Sequence, residues 1–286
     1  MTKYNTVCLS GGGISGISHI CILEFLNKNK IINLKKIKKY VSTSVGSIVS
    51  FLLIIGYKTE KIIEFINTFD FKNINENFDF DKLINIYGLN SASKIIIIIQ
   101  SFLFKKTNSN DITFAELKKK FKKSLGIIGT NLTKNREEYF SPETTPDMSV
   151  ILAIRISISI PIIFIPVKYK NNIYVDGGIF NNFPINYCNK KTTFGITLHK
   201  QNNNSINNLF DYFVSIYNTT IKVNNTKNYF NKNNVIIFEG ITSYDLNDNT
   251  KKKLIDKSIE KAIEFCKDNP IYISVSIIND IINQLH

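Results

Sequence analysis

A short glycine-rich segment near the start of the chain, VCLSGGGISGISHI (residues 7–20), constrains the fold more than any other stretch. An apolar run leads into three consecutive glycines, and an amphipathic stretch follows. The pattern predicts a buried strand, a tight turn and a helix. Such a turn presents bare backbone N–H groups, which can bind the pyrophosphate of a dinucleotide or stabilise the oxyanion of an acyl-transfer reaction. The turn alone does not distinguish these two uses.

The first quarter of the chain continues this alternation of strand and helix. Apolar patterns predict strands at Thr6–Ser10 and Lys39–Thr43 and helices at Ser15–Asn27 and Gly46–Ile55. The second helix is almost entirely apolar, so it has to pack inside the protein, as it would against a parallel sheet covered on both faces. We therefore expect an α/β fold, and a length of 286 residues does not require a second domain.

Further elements are predicted along the rest of the chain. Strand patterns occur at Glu138–Phe140, Ile173–Val175, Thr193–Leu198 and Val235–Phe238. An amphipathic helix is predicted in a C-terminal helical region, residues 250–286, with Leu254, Ile255, Ile259, Ala262, Ile263 and Cys266 facing inward. The apolar and irregular region 58–110 is a candidate helical insertion or lid, with an ordinary core helix as the alternative.

The segment after the second strand decides between the two uses of the glycine turn. A dinucleotide site needs an acidic residue about 20 positions after the glycines, and the sequence has none between Glu24 and Glu60. The second strand instead ends in Ser-Thr-Ser-Val-Gly (residues 42–46) and leads into the apolar helix. A strand, a Ser-x-Ser-x-Gly turn and a helix form the layout of a nucleophile elbow. Ser44 is therefore the candidate nucleophile, and Gly46 permits the tight turn.

A serine hydroxyl needs a base, and the segment IYVDGGIFNNFPI (residues 173–185) supplies one. Asp176 ends a predicted strand, and Gly177 and Gly178 follow it. We expect this carboxylate at the carboxyl edge of the sheet, where open α/β folds place their chemistry. There it can take the proton of the serine directly.

Histidine offers a competing base. His286 is the last residue, and His19 lies inside the first predicted helix, where a packed structural role is expected. His199 ends a predicted strand and completes the order Ser…Asp…His with Ser44 and Asp176, as in α/β-hydrolases. A Ser44–Asp176–His199 esterase is therefore an alternative to a dyad.

At this point the sequence resembles a known family, the patatin-like phospholipases. The resemblance rests on GGG-x-x-G in the first turn, Ser-x-Ser-x-Gly in the second, and Asp-Gly-Gly after a later strand. Supporting matches are RISISIPIIFIPV with Ser157, Ser159 and Pro161, DGGIFNNFPI with Asn182 and Pro184, and ITFAEL. The resemblance extends from about Thr6 to Leu198. It places a helix end and a loop at residues 154–160, where the alternating isoleucines by themselves predict a strand.

The resemblance implies a single-domain lipid acyl hydrolase of the phospholipase A type on a three-layer α/β/α fold with a mostly parallel sheet. Ser44 would be the nucleophile, Asp176 the general base, and the N–H groups of the turn Gly11, Gly12 and Gly13 the oxyanion hole. The glycines expected to support these turns are Gly16, Gly46, Gly177 and Gly178. Neither a metal ion nor a cofactor is implied.

Two departures from the family pattern leave a further alternative open. The family commonly carries Lys or Arg at the position of Ser15, and a smaller residue at that of Ile158. The missing cation puts strong recognition of a phosphate headgroup in doubt, and the isoleucine would reshape the pocket. A catalytically impaired, lipid-binding pseudoenzyme is therefore the third hypothesis.

Composition bears on partners and location. The net charge is +13, and nearly all of it comes from lysine, because Arg136 and Arg155 are the only arginines. Without arginine clusters we expect no nucleic-acid partner. Diffuse lysine favours a peripheral contact with an anionic membrane surface, next to a phospholipid or other acyl-ester substrate. The sequence shows no signal peptide or transmembrane pattern, so we expect a cytoplasmic protein.

Overall fold

A mixed, mostly parallel sheet flanked by helices forms the body of the protein, which confirms the expected α/β fold. We describe it from a computed structural model, in which residues 4–68, 85–200, 206, 209–225, 234–240 and 247–269 are described. The strands are β1 (Thr6–Leu9), β2 (Lys39–Thr43), β3 (Gly88–Asn90), β4 (Ser124–Asn131), β5 (Arg136–Phe140), β6 (Ile162–Phe164), β7 (Val167–Tyr169), β8 (Asn172–Asp176), β9 (Thr193–Lys200) and β10 (Val235–Gly240).

The main sheet runs in the order β10-β9-β1-β2-β4-β8-β7, and β5 also pairs with β4. Strands β10, β9, β1, β2 and β4 are parallel to their neighbours in this order. Strands β5 and β8 are antiparallel to β4, and β7 is antiparallel to β8. The short strands β3 and β6 form a separate parallel pair.

Nine helices connect and cover these strands in the described part of the chain. They are α1 (Ile17–Lys28), α2 (Val45–Ile54), α3 (Thr59–Thr68), α4 (Ser93–Thr107), α5 (Phe114–Phe121), α6 (Val150–Ser157), α7 (Gly178–Asn181), α8 (Leu209–Asn225) and α9 (Asp248–Asp268). One hydrophobic core joins the sheet to its helices, with Val7, Leu23, Phe51 and Ile154 among its most buried members. None of the helices in the described residues is long and apolar enough to cross a membrane.

Two predicted regions are only partly described. In the region 58–110, α3 and α4 are formed and residues 69–84 lie outside the described part. The run of isoleucines at 95–99 is not buried throughout: Ile99 is 2% exposed, whereas Ile97 is 62% exposed. The C-terminal region contains α9, and residues 270–286 lie outside the described part. The lid remains a prediction.

Residues 154–160 follow the resemblance and not the alternation of isoleucine. Helix α6 ends at Ser157, and Ile158 caps it by donating its backbone N–H to the carbonyl of Ile154. Burial explains the misleading pattern, because this helix is packed on several sides and is therefore apolar on several sides. The strand indicated by periodicity alone is wrong.

Candidate active site

The turn that carries Ser44 has the backbone geometry of a strained elbow. Strand β2 ends at Thr43, α2 begins at Val45, and Ser44 between them has φ 53° and ψ −129°. A non-glycine residue adopts such a conformation only where its surroundings impose it, at a cost on the order of 1–3 kcal/mol. Ser44 also occupies the N-terminal end of α2, where the helix dipole favours developing negative charge.

Strand β4 brings the end of β2 and the end of β8 together. Thr43 pairs with Ile128 of β4, and Asp176 pairs with Gly129, the next residue of the same strand. The opposite edge of β4 is occupied by β5, which pairs with residues on both sides of this point. Strands β2 and β8 therefore share one edge of β4 and meet end to end. Their last residues are offset by about one residue, roughly 3.3 Å along β4.

This junction corrects the expected direction of the strand that carries the carboxylate, which was expected to be parallel. Asp176 does not end a parallel strand, because β8 is antiparallel to β4. The reason is that β4 continues for three residues beyond its pairing with Thr43, which leaves the edge at Gly129–Asn131 open to an antiparallel partner. Ser44 and Asp176 are thus neighbours at the point where two opposed strands leave the sheet. They are 4% and 0% exposed.

The segment Ser157-Ile158-Ser159 holds the backbone on both sides of the junction. The hydroxyl of Ser157 accepts the N–H of Ser44 at 2.8 Å and donates to the carbonyl of Ile128 at 2.6 Å. The carbonyl of Ser159 accepts the N–H of Asp176 at 2.8 Å. The family resemblance of the sequence had singled out both serines. Their hydrogen bonds depend on tertiary structure, so they could not be derived from the sequence.

Replacing Ser157 with alanine tests this connection. Ser157→Ala leaves the buried N–H of Ser44 and one acceptor site of Ile128 without their partner, so we expect a loss of about 1–3 kcal/mol in unfolding free energy, measured by urea denaturation. Ser18→Ala is the matched control, because the Ser18 hydroxyl is buried and bonds to no residue in the described part. Equal stability of the two variants would contradict the assigned role.

The glycine turn packs directly against this junction. A Cβ on Gly11 would lie 3.1 Å from the Cβ of Ser44 and only 2.4 Å from Oδ1 of Asn182, so no side chain fits there. The N–H of Gly11 donates to the carbonyl of Asn182 at 3.1 Å. Within the described ranges, the N–H groups of Gly12 and Gly13 donate to no acceptor. These two donors follow Gly11 in the same turn and are available to an incoming oxygen atom.

The other predicted glycines serve close packing around the same point. A Cβ on Gly46 would lie 2.7 Å from the carbonyl oxygens of Leu9 and Ser10, and one on Gly177 would lie 2.4 Å from the carbonyl oxygen of Ile128. A Cβ on Gly16 would collide with the side chain of Val45, the first residue of α2. The N–H of Gly178 donates to Oδ1 of Asp176 at 2.7 Å and orients the carboxylate.

The two departures from the family pattern are accommodated by packing. Ser15 is buried, and a Cβ on Gly240 at the end of β10 would lie 2.5 Å from its Oγ. A long cationic side chain directed into this space would have no room. Ile158 is 6% exposed and belongs to the hydrophobic core, so its added bulk is directed away from solvent.

His19 and His199 lie in different positions relative to the candidate active site. His19 is fully buried in α1, and its Nε2 lies 2.8 Å from the carbonyl oxygen of Ser10. Burial lowers its pKa to about 4, against the opposing effect of that carbonyl. His199 lies on β9, and β1 runs between β9 and β2. The backbones of His199 and Ser44 are therefore about 10 Å apart across the sheet, whereas Asp176 adjoins Ser44.

A helix that the sequence interpretation did not assign covers one side of the site. Helix α8 packs against α7, and the hydroxyl oxygen of Tyr217 would lie 2.9 Å from a Cβ on Gly178. Elsewhere on its surface, α8 exposes Tyr212 (50%) and Ile216 (48%). The amphipathic pattern in LFDYFVSIY could have predicted the helix, but its contact with Asp-Gly-Gly arises only in the folded chain.

Comparisons of the sequence with known proteins identify relatives. The family model described as patatin-like phospholipase matches residues 7–188. A probable lipid hydrolase (463L) of Invertebrate iridescent virus 6 is 41% identical over 197 residues, which are 66% of this chain and 66% of that protein. Protein R571 of Acanthamoeba polyphaga mimivirus, described as uncharacterized, is 32% identical over 228 residues, 75% of each chain. The chain thus spans about two thirds of the iridescent-virus protein.

Solved structures share the fold at low sequence identity. VipD from Legionella pneumophila superposes with a TM-score of 0.60 at 16% identity, over 93% of this chain and 67% of VipD. ExoU from Pseudomonas aeruginosa, solved in complex with SpcU, gives a TM-score of 0.53 at 15% identity, over 93% of this chain and 53% of the other. The chain therefore spans about half of the ExoU chain.

Proposed function

Because the chain belongs to the patatin-like phospholipase family, we propose that it is a lipid acyl hydrolase that cleaves fatty-acyl esters of membrane phospholipids. The relative named a probable lipid hydrolase supports the substrate class. The observation that carries the proposal is the junction of β2 and β8 on one edge of β4, which makes Ser44 and Asp176 neighbours beside the glycine turn.

In this proposal Ser44 and Asp176 act as a catalytic dyad. The carboxylate of Asp176 takes the proton of the Ser44 hydroxyl as the oxygen attacks the ester carbonyl carbon. The resulting oxyanion accepts hydrogen bonds from the N–H groups of Gly12 and Gly13. One such donor typically contributes about 3 kcal/mol to transition-state stabilisation.

Collapse of this intermediate completes the first half of the reaction. The bond from the carbonyl carbon to the alcohol oxygen breaks, and the alcohol, a lysophospholipid, leaves with the proton held by Asp176. Water then loses a proton to Asp176 as it attacks the acyl-Ser44 ester. When the bond from the carbonyl carbon to Ser44 Oγ breaks, Asp176 returns this proton to the serine oxygen. The products are a free fatty acid and the regenerated serine, so one carboxylate that takes up and releases a proton in each half of the reaction suffices.

Burial of the dyad implies that the site opens for a lipid. With Ser44 4% exposed and Asp176 fully buried, an acyl chain cannot reach the nucleophile unless the covering elements move. Helix α8, with Tyr217 against Gly178, is one such cover among the described elements. Its exposed Tyr212 and Ile216 are suited to contact with a membrane surface, which supports peripheral association during turnover.

A histidine variant separates the dyad from the triad. We expect His199→Ala to retain hydrolysis of a chromogenic acyl ester within a fewfold of the unaltered protein, because Asp176 adjoins Ser44 without it. A Ser–His–Asp triad would instead lose about 10⁴-fold in kcat. Steady-state kinetics on the purified variant, with circular dichroism as the folding control, decides between the two.

The substrate itself is tested with mixed phospholipid vesicles. Purified protein should release fatty acid and lysophospholipid, both identified by mass spectrometry, and the Ser44→Ala variant should release neither. The same analysis reveals which ester position and which headgroups are preferred. Binding to vesicles without turnover of vesicles or soluble esters would instead support the lipid-binding pseudoenzyme.

A further inference from the structure

A cleft lies at the amino ends of the parallel strands β2 and β4, whereas Ser44 follows the carboxyl end of β2. The cleft has a volume of about 940 Å³ and is bounded by the carboxyl ends of α1 and α2 and the beginnings of β2 and β4. Tyr40 marks its position on β2, four residues before Ser44, or roughly 13 Å along the strand. The cleft is therefore separate from the candidate active site. Its size is within the usual range of small-ligand sites, roughly 300–1,000 Å³.

Its lining has a strongly one-sided charge. The cations that line it are Lys30, Lys35, Lys36, Lys58 and Lys123, and Glu60 is the only lining carboxylate in the described part of the chain. We call this site the basic cleft. Among the described residues, none of its five lysines forms an ion pair, whereas lysines elsewhere, such as Lys28 and Lys118, do. The described residues of the cleft thus carry more positive than negative charge.

The surroundings of Lys123 disfavour the charged form of its ammonium group. Its side chain is half-buried, its Nζ donates to the carbonyl of Leu34 at 3.0 Å, and it lies 5.7 Å from the ring centre of Tyr40. Burial lowers the pKa of Lys123, and the nearby cation of Lys38 lowers it further. An anion bound in the cleft would favour the charged form of Lys123 and so oppose both effects.

The partial negative charges at the ends of the two helices do not neutralise the excess positive charge of the cleft. The carboxyl ends of α1 and α2 each contribute a partial negative charge of about half an elementary charge. Together with Glu60 they offset about two of the five lysines. Three positive charges remain, more than one monoanionic group such as a carboxylate would neutralise. Lysine ammonium groups are also good point-charge partners for phosphate.

We propose that the basic cleft binds a compact ligand that carries two or more phosphate groups. The lysines bind the phosphates, and the apolar floor formed by Leu34, Leu53 and Tyr57 receives the scaffold that bears them. The phosphates can belong to a soluble compound or to the headgroup of a lipid. The cleft is distinct from the dyad, so its ligand is not the acyl ester that Ser44 attacks.

Binding is tested on the Ser44→Ala protein, which excludes turnover from the measurement. The soluble probes are inorganic tripolyphosphate and an inositol trisphosphate in titration calorimetry, with orthophosphate for comparison. We expect saturable binding at one site, tighter for both probes than for orthophosphate and weakened by salt. The lipid arm measures flotation with phosphatidylcholine vesicles with and without phosphatidylinositol bisphosphate. If the protein floats only with the vesicles that contain phosphatidylinositol bisphosphate, the ligand is assigned to a lipid headgroup.

Paired variants locate the site. Lys36→Gln with Lys58→Gln removes two exposed cations of the cleft and should weaken binding about tenfold. Lys252→Gln with Lys253→Gln removes the same charge from the exposed face of α9 and should leave binding within about twofold. Equal losses in both pairs, or no saturable binding of any probe, would overturn the proposal, because the net positive charge would then explain any attraction.

Discussion

Ser44→Ala is expected to abolish ester hydrolysis while the protein stays folded. Without the hydroxyl no acyl-enzyme can form, and removal of a serine nucleophile typically costs about 10⁴- to 10⁶-fold in kcat. Hydrolysis of a chromogenic ester by the purified variant measures the loss. Ser50→Ala is the matched control, because Ser50 is also buried in α2 and its hydroxyl has no partner among the described residues. Full activity of Ser44→Ala would refute the nucleophile.

The strain at this residue gives the experiment a second measurement. Ser44 has φ 53°, a region that glycine occupies freely and alanine does not. We therefore expect Ser44→Gly to be inactive like Ser44→Ala, but more stable than it by about 1 kcal/mol. Urea denaturation of both variants compares them. A less stable glycine variant would show that the elbow is not strained.

Asp176→Asn is expected to have the second largest effect, a loss of about 10⁴-fold in kcat. The amide has nearly the shape of the carboxylate, and its Oδ1 can still accept the N–H of Gly178. It has no comparable basicity, so the proton of Ser44 has no acceptor. We expect steady-state kinetics to show the loss in kcat, while the substrate KM changes little because substrate binding is unaffected.

A surface carboxylate controls for the change in charge. Asp147→Asn alters an exposed side chain away from the junction by the same charge and should retain full activity. Thermal unfolding of both variants separates a loss of chemistry from a loss of fold. An active Asp176→Asn would transfer the role of base to another group, and His199→Ala would then be examined in that background.

The elements that frame the two turns were predictable from the sequence. Strands β1 and β2 and helices α1 and α2 lie within a few residues of the predicted ranges, because each is a single apolar or amphipathic run. Ser44 and Asp176 were singled out by the turns in which they lie, Ser-x-Ser-x-Gly and Asp-Gly-Gly, and Gly11–Gly13 by the glycine-rich turn together with the family resemblance. Their predicted roles remain to be tested by the variants above.

The central strand β4 was not predicted, although it brings the site together. Its sequence, SLGIIGTN, contains Gly126 and Gly129, and glycine weakens a strand pattern. A Cβ on Gly126 would collide with the ring of Tyr139, and one on Gly129 with Ile156 and Phe140. These glycines fit neighbours from other elements, which local sequence cannot indicate. The end-to-end meeting of β2 and β8 was missed for the same reason.

The junction of β2 and β8 has a consequence for how an enzyme of the proposed kind can diversify. When two reacting groups lie on surface loops, a change in loop length changes the distance between them. Here the distance is fixed by the pairing of both strands with β4. Insertions in the segments between the strands can change which molecules enter the site without changing this distance. Substrate specificity can therefore vary among relatives while the arrangement of the two reacting groups stays the same.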